Sequence, residues 1–267
     1  MAVVFVSWVI MFVYIKNKST YFFVLIILFS LMLGCASTNI NKEANAQFYF
    51  DRGMQYMERK DYIKAQTDFQ TVIESYPASV LVDRAQFMLG EANYYNEDYI
   101  TAAYEYDRVY KDYPSSVYAE EARYKRAMCY YHESPKAALD QENTLLAIDE
   151  FNRFIDNFPR SKFADDARER IDELREKLAY KDYRNAETYR KLKRFEAAIQ
   201  YYRYVIKDYP RSVWADESQY GIGLVYLKQK NYERAKEVFQ RLVSLKVSEE
   251  LKDKASKKLS YIEKKTN

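Results

Sequence analysis

The sequence predicts an all-α chain built as a solenoid of stacked helix pairs, and three observations carry that prediction. A helix-ending phrase occurs four times: YPASVLVD from Tyr76, YPSSVYAE from Tyr113, FPRSKFAD from Phe158 and YPRSVWAD from Tyr209. Proline cannot continue a helix and pushes the residue before it toward extended geometry, so each phrase ends one helix. The serine two places after the proline can cap the next helix, with Asp83, Glu120, Asp165 or Asp216 near its positive end. The corners are spaced by 37, 45 and 51 residues, a repeat with insertions. Composition agrees: 17% aromatic with 28 Tyr, 30% charged and only 5 Gly suit helices whose rings fill the space between them and keep their hydroxyls wet.

The first element is a targeting segment. Residues 1–34 hold no acidic side chain and two apolar runs, Ala2 to Tyr14 and Tyr21 to Leu33, divided by Lys16-Asn17-Lys18. Each run is shorter than the roughly 20 residues that cross a bilayer as a helix, and a positive region before a run of about a dozen apolar residues is the layout of a signal peptide. Met11 offers a second start that would put Lys16 and Lys18 near the N-terminus, which makes residues 1–10 a start-site artefact. The run closes on Leu31-Met32-Leu33-Gly34-Cys35, which resembles the lipobox of bacterial lipoproteins, although Met32 and Leu33 are bulkier than usual. That resemblance implies lipidation of Cys35 as the new N-terminus, and Ala36 in place of Asp implies sorting to the outer membrane. Acyl chains such as palmitate would then hold the protein, at about 0.8 kcal/mol per buried methylene.

Residues 35–45 read as the lipidated cysteine and a polar tether, and helical repeats begin near Ala46. A small residue recurs at Gly53, Gly90, Ala127, Ala186 and Gly223. Twelve places later comes Ala65, Ala102, Ala198 or Ala235; the third unit supplies Ala147 after eight extra residues. Four places beyond each alanine stands an aromatic: Phe69, Tyr106, Phe151, Tyr202 and Phe239. This order resembles the tetratricopeptide repeat, a helix–turn–helix unit of about 34 residues. The resemblance implies a right-handed α-solenoid of five such pairs, repeats 1–3 over 46–164 and repeats 4–5 within 165–267. The third unit carries an insertion from Glu133 to Asn143, and Ala164 to Tyr189, free of Gly and Pro, runs as one long connecting helix. Leu251, Ala255, Leu259 and Ile262 give Glu249 to Lys264 the single apolar stripe of a capping helix.

Charge and side-chain chemistry exclude several functions. The formal charge is +3; without Lys16 and Lys18 it becomes 40 basic against 39 acidic residues, which gives no electrostatic reason for a nucleic-acid partner. One His and two Cys argue against a nitrogen/sulfur metal site or a disulfide framework, and no cofactor is expected beyond the covalent lipid on Cys35. Cys129 reads as a core residue and His132 as a solvated imidazole opening the inserted loop. The corner serines lack a histidine nearby, and the pairs Glu120-Glu121 and Asp165-Asp166 are explained by helix-end complementarity, so the protein is not expected to be an enzyme. What remains is binding. Phe50, Phe87, Tyr124, Tyr183 and Tyr220 occupy one position in each first helix that in this repeat family tends to face an inner groove. Phe50, Met54, Arg84, Phe87, Tyr94, Tyr124 and Tyr131 are therefore the candidate peptide groove, rings supplying apolar area and the guanidinium a fork for a carboxylate.

The lipobox, five repeats, the corner phrase, the stretch Ala138-Leu139-Asp140-Gln141 before Ala147-Ile148-Asp149-Glu150-Phe151 and the long helix together resemble the BamD (YfiO/ComL) family, outer-membrane lipoproteins of the β-barrel assembly machinery. The resemblance implies a non-enzymatic periplasmic scaffold, anchored by its lipid to the outer membrane. Its implied partners are the barrel-forming subunit, accessory lipoproteins and the C-terminal segments of unfolded outer-membrane proteins. The other reading is a different periplasmic repeat lipoprotein, a pilotin or a cell-division coordinator; residues 36–45 are too short for the coiled coil that such a coordinator carries. Cys35→Ala, or globomycin, should remove the protein from the outer-membrane fraction, and unchanged retention there would remove the lipoprotein assignment.

Overall fold

The computed structural model describes residues 42–266; Cys35 and the targeting segment lie outside them. Every regular element among the described residues is an α-helix. They are α1 over 42–58, α2 Tyr62–Ser75, α3 Val82–Tyr95, α4 Tyr99–Asp112, α5 Ala119–Glu133 and α6 Glu142–Asn157. The remainder are α7 Ala164–Lys191, α8 Phe195–Asp208, α9 Val213–Lys228, α10 Tyr232–Ser244 and α11 Glu249–Thr266. The long helix is one unbroken element of 28 residues, and the capping helix lies where its apolar stripe placed it. The described residues form two compact units, one ending at Asn96 and the other beginning at Glu97.

The first unit holds α1, α2 and α3. Its core is Phe50, Ala65, Phe69, Val72, Ala85, Leu89 and Ala92. Gly53 shows why a small residue stands there: a Cβ on it would lie 2.7 Å from Phe69 Cε1, closer than atoms approach. Arg52 on α1 forks to Asp68 on α2 at 2.6 and 2.8 Å, and Asp68 is 2% exposed, so the charge is buried only because it is paired.

In the second unit each helix from α4 to α11 packs on its chain neighbour, and α9 also meets α7 and α11. One core cluster gathers Ala127, Ala147, Phe151, Phe154, Ala167, Ile171 and Leu174; another gathers Ala186, Ala198, Tyr202, Val225, Ala235, Phe239, Leu242 and Ile262. The five register alanines and the five aromatics that follow them are all fully buried across the chain. Gly223 is to Phe239 what Gly53 is to Phe69, at 2.6 Å, and Gly221 meets the ring of Tyr202 in the same way. Between α4, α5 and α6 lies an ion-pair network. Glu150, 1% exposed, takes Arg126 at 2.9 Å and Arg123 at 3.4 Å, and Arg126 also reaches Asp107 at 3.3 Å.

The corners are built by their serines, though not all in the way the sequence suggests. Ser212 is the N-cap of α9 and accepts from Trp214 N at 3.1 Å. Ser79, Ser116 and Ser161 make the same bond to the residue two ahead, but in a turn, and the helix starts only three residues after them. A hydroxyl has a proton to give as well, and three of these serines give it to a carboxylate on the preceding first helix. Ser79 bonds Glu43 at 2.9 Å, Ser161 bonds Glu120 at 2.5 Å and Ser212 bonds Glu176 at 2.7 Å. The opposite ends of the first helices close without glycine. Lys60, Glu97, Lys193 and Lys230 adopt left-handed φ of 57 to 62°. After Lys60, Lys193 and Lys230 the next N–H returns to a carbonyl five residues back, at 2.9 Å each time. A side chain in that conformation is strained, so Lys193→Gly should raise stability by about 1 kcal/mol in urea unfolding. Gly223→Val, driven into Phe239, should lower it by about 1–3 kcal/mol.

Candidate functional site

Five of the seven candidate groove residues fall in the first unit, and two of them are core. Phe50 is 1% exposed and lies 5.6 Å from Phe69; Phe87 is 6% exposed. Arg84 is exposed, and its guanidinium sits 4.6 Å over the Phe50 ring, so a cation already covers that face. Met54 is partly buried against the same core, and Tyr94 is half-buried, edge-on to Tyr95 at 5.8 Å.

The other two lie in the second unit. Tyr124 is 8% exposed, stacked on Phe163 at 4.6 Å, and its hydroxyl donates to Asp166. Tyr131 is half-buried and donates to Glu173 at 2.6 Å, with Arg170 5.3 Å over its ring. Arg170 links the two by pairing with Asp166 at 3.2 Å and Glu173 at 3.1 Å, so both tyrosines belong to one polar seam between α5 and α7. The common first-helix position therefore points inward in Phe50, Phe87 and Tyr124. The expected groove loses these three rings as a contact surface, because all three are buried, Phe50 against Phe69 and Tyr124 against Phe151.

The matching residues of the last two pairs are more open. Tyr183 and Tyr220 are half-buried, as are Tyr180 and Trp214 beside them. Trp214 lies 4.6 Å from Tyr180 and 5.0 Å from Tyr183, and Tyr183 lies 6.0 Å from Tyr202. Burial, with Glu187 and Glu217 nearby, pushes the Tyr183 hydroxyl up to about 12. Burial raises Glu187 too, but hydrogen bonds from Arg190 and Tyr202 outweigh it and hold that carboxyl below its ordinary value. Such an arrangement sets partly open rings beside charged groups. Among the described residues no three or more His, Cys, Asp and Glu gather to hold a metal ion, and no helix is long and apolar enough to cross a membrane.

The insertion of the third pair, 134–141, is clamped to α7. Lys177 Nζ donates to Ser134 Oγ at 2.8 Å and Lys181 Nζ to the Leu139 carbonyl at 3.0 Å. Gln141 Nε2 donates to the carbonyls of Lys136 and Leu139, both at 3.0 Å, and its Oε1 accepts from Thr144. Burial lowers Lys177, against the pull of Glu173.

The sequence matches the family described as outer membrane lipoprotein, YfiO, over residues 42–245. The chain belongs to this family. The match runs from α1 through α10 and contains the clamped insertion, while α11 lies beyond it. A curated relative from Rickettsia prowazekii, named outer membrane protein assembly factor BamD, is 25% identical over 205 residues, covering 76% of this chain and 82% of its own. One from Caulobacter vibrioides with the same name is 26% identical over 179 residues, covering 62% of this chain and 59% of its own. Among solved structures, the chain is similar to the P58(IPK) TPR domain at 14% identity, 87% and 69% coverage and a TM-score of 0.44. It is also similar to a tetratricopeptide repeat protein from Parabacteroides merdae at 14% identity, 83% and 75% coverage and a TM-score of 0.36.

Sequence reasoning missed the lysine clamp, since Lys177 and Lys181 look like solvated helix charges until the loop is seen against them. His132 is exposed, as the sequence suggests, but it lies in the last turn of α5, just before the loop, with one face of its ring stacked on Tyr99 at 4.8 Å. Burial lowers the His132 pKa, helped by Arg170 and Lys125. The unfolded chain therefore takes up this proton first, and stability should fall as pH drops from the ordinary imidazole value of 6.5 toward the lower folded one. Urea midpoints at pH 7.5 and 5.5 test this: His132→Gln should reduce the acid-side loss.

Proposed function

We propose that this chain is a non-enzymatic scaffold lipoprotein of outer-membrane β-barrel protein assembly, held by a lipid on Cys35 at the periplasmic face of the outer membrane. The observation that carries the reading is the family match across 42–245, joined by two relatives that are both named outer membrane protein assembly factor. The chain is built for that work by chemistry as well as descent. Its regular elements are helices whose exposed faces carry paired charges and half-open aromatic rings, which suit recognition of another polypeptide. The partners proposed are the barrel-forming subunit and unfolded outer-membrane proteins, with accessory lipoproteins beside them; no cofactor is required beyond the lipid.

For client recognition, the rings buried in the core are replaced by what remains at the surface: Arg84 with Met54 in the first unit, and the half-open Tyr131 ring in the second. Arginine beside an aromatic face can fork to a chain-terminal carboxylate while the ring takes an apolar neighbour. Affinity capture of the tagged chain from detergent-solubilised membranes should recover a barrel-forming outer-membrane subunit, recognised by its heat-modifiable migration. Its absence, together with normal barrel assembly after depletion of the chain, would overturn the reading.

A further inference from the structure

On α7 and α9 of the second unit, which pack together, four rings are left partly open by the core: Tyr180, Tyr183, Trp214 and Tyr220. Trp214, Glu217 and Tyr220 follow one another at helical spacing along α9, so the carboxylate stands between two of the rings. Glu217 is 30% exposed, and its nearest cation, Lys254 of α11, lies 4.0 Å away, beyond hydrogen-bond reach. Lys254 is itself bonded to Glu250 at 2.7 Å. Burial raises Glu217, and Glu250, Glu187 and Asp216 act in the same direction against Lys254. This half-desolvated carboxylate lacks a hydrogen-bonded counter-ion and stands beside rings that are only half-buried. Ring faces attract cations through their quadrupole. One such contact is already made within the chain: the Arg184 guanidinium lies 5.7 Å from the Tyr180 ring and donates to its hydroxyl at 2.9 Å.

We propose that this face docks a basic segment of a partner protein, laying an arginine or lysine side chain over the Tyr183 and Trp214 rings with its charge against Glu217. Charge selects the occupant. A chain-terminal carboxylate or an acidic segment would meet Glu217 with like charge, so this surface differs in kind from the arginine-bearing one proposed for client ends. A guanidinium fits best, because it can lie flat on a ring and still fork to a carboxylate, and it gives up its water more readily than an ammonium. The surface lies wholly within one compact unit and needs no movement of helices.

The lipidated chain in detergent micelles provides the test, since Trp214 is the one tryptophan after Cys35. It is titrated with a hexapeptide of alternating arginine and alanine, and with counterparts holding citrulline or glutamate in place of arginine, while tryptophan fluorescence is followed. The arginine peptide should give a saturable change, weakened by salt, and the two counterparts should not. Glu217→Gln should weaken binding about tenfold, and Tyr183→Leu by at least as much. Because Glu217→Gln removes a desolvated charge, its melting temperature should not fall, which separates lost binding from lost folding. No saturable change with the arginine peptide, equal binding of the citrulline peptide, or unaltered affinity in Glu217→Gln would each overturn the proposal. None of these results depends on recovery of the barrel-forming subunit, so the assembly reading stands or falls separately.

Discussion

The closest constraint in both units is a helix with no side chain at the point where a neighbouring helix presents a ring. Gly53 faces Phe69, Gly223 faces Phe239 and Gly221 faces Tyr202, each at a distance that leaves no room for a methyl group. Such contact fixes the spacing of the pair and the rotation of each helix about its own axis, since only one position on each can meet. Once the ring is fixed, the alanine four residues before it is carried to the interface as well, which explains why the register alanines are buried without exception. Helical propensity alone would leave these helices marginal, and it is this interlocking that holds them.

The segments joining the helices do a different job, which is to hold direction. At one end of a first helix, a lysine in left-handed geometry turns the chain through a short, fully bonded loop. At the corner, a serine both stops the backbone and bonds a glutamate from the preceding first helix. A corner serine thus ties consecutive pairs together instead of merely punctuating them.

Much of the fold was legible in the sequence because it is written in spacing. The small residue, the alanine, the aromatic and the proline recur at fixed offsets, and the one long helix was visible as a run free of Gly and Pro. The direction of the first-helix rings was not legible. Phe50, Phe87 and Tyr124 share a position with Tyr183 and Tyr220, yet the first three are shut in and the last two are half-open. Spacing says that these residues lie on one side of their helices; it does not say how much of that side the neighbours cover, which depends on side chains many residues away such as Trp214 and Phe163. The lysine clamp was hidden for a similar reason, since its acceptors are a loop hydroxyl and a backbone carbonyl, neither of which marks a partner for a lysine 42 or 43 residues on.

That clamp alters how the protein can assemble itself. In a simple array each repeat leans on its neighbour through apolar contact and can form or fray in turn. The insertion of the third pair has scant apolar substance, and much of its order comes from two lysines on α7, the first helix of the following pair. The third pair is therefore unfinished until the fourth is in place. Growth of the stack along the chain should stall at Glu133 and resume only when α7 has docked, welding the two pairs into one cooperative step where a plain repeat would give two.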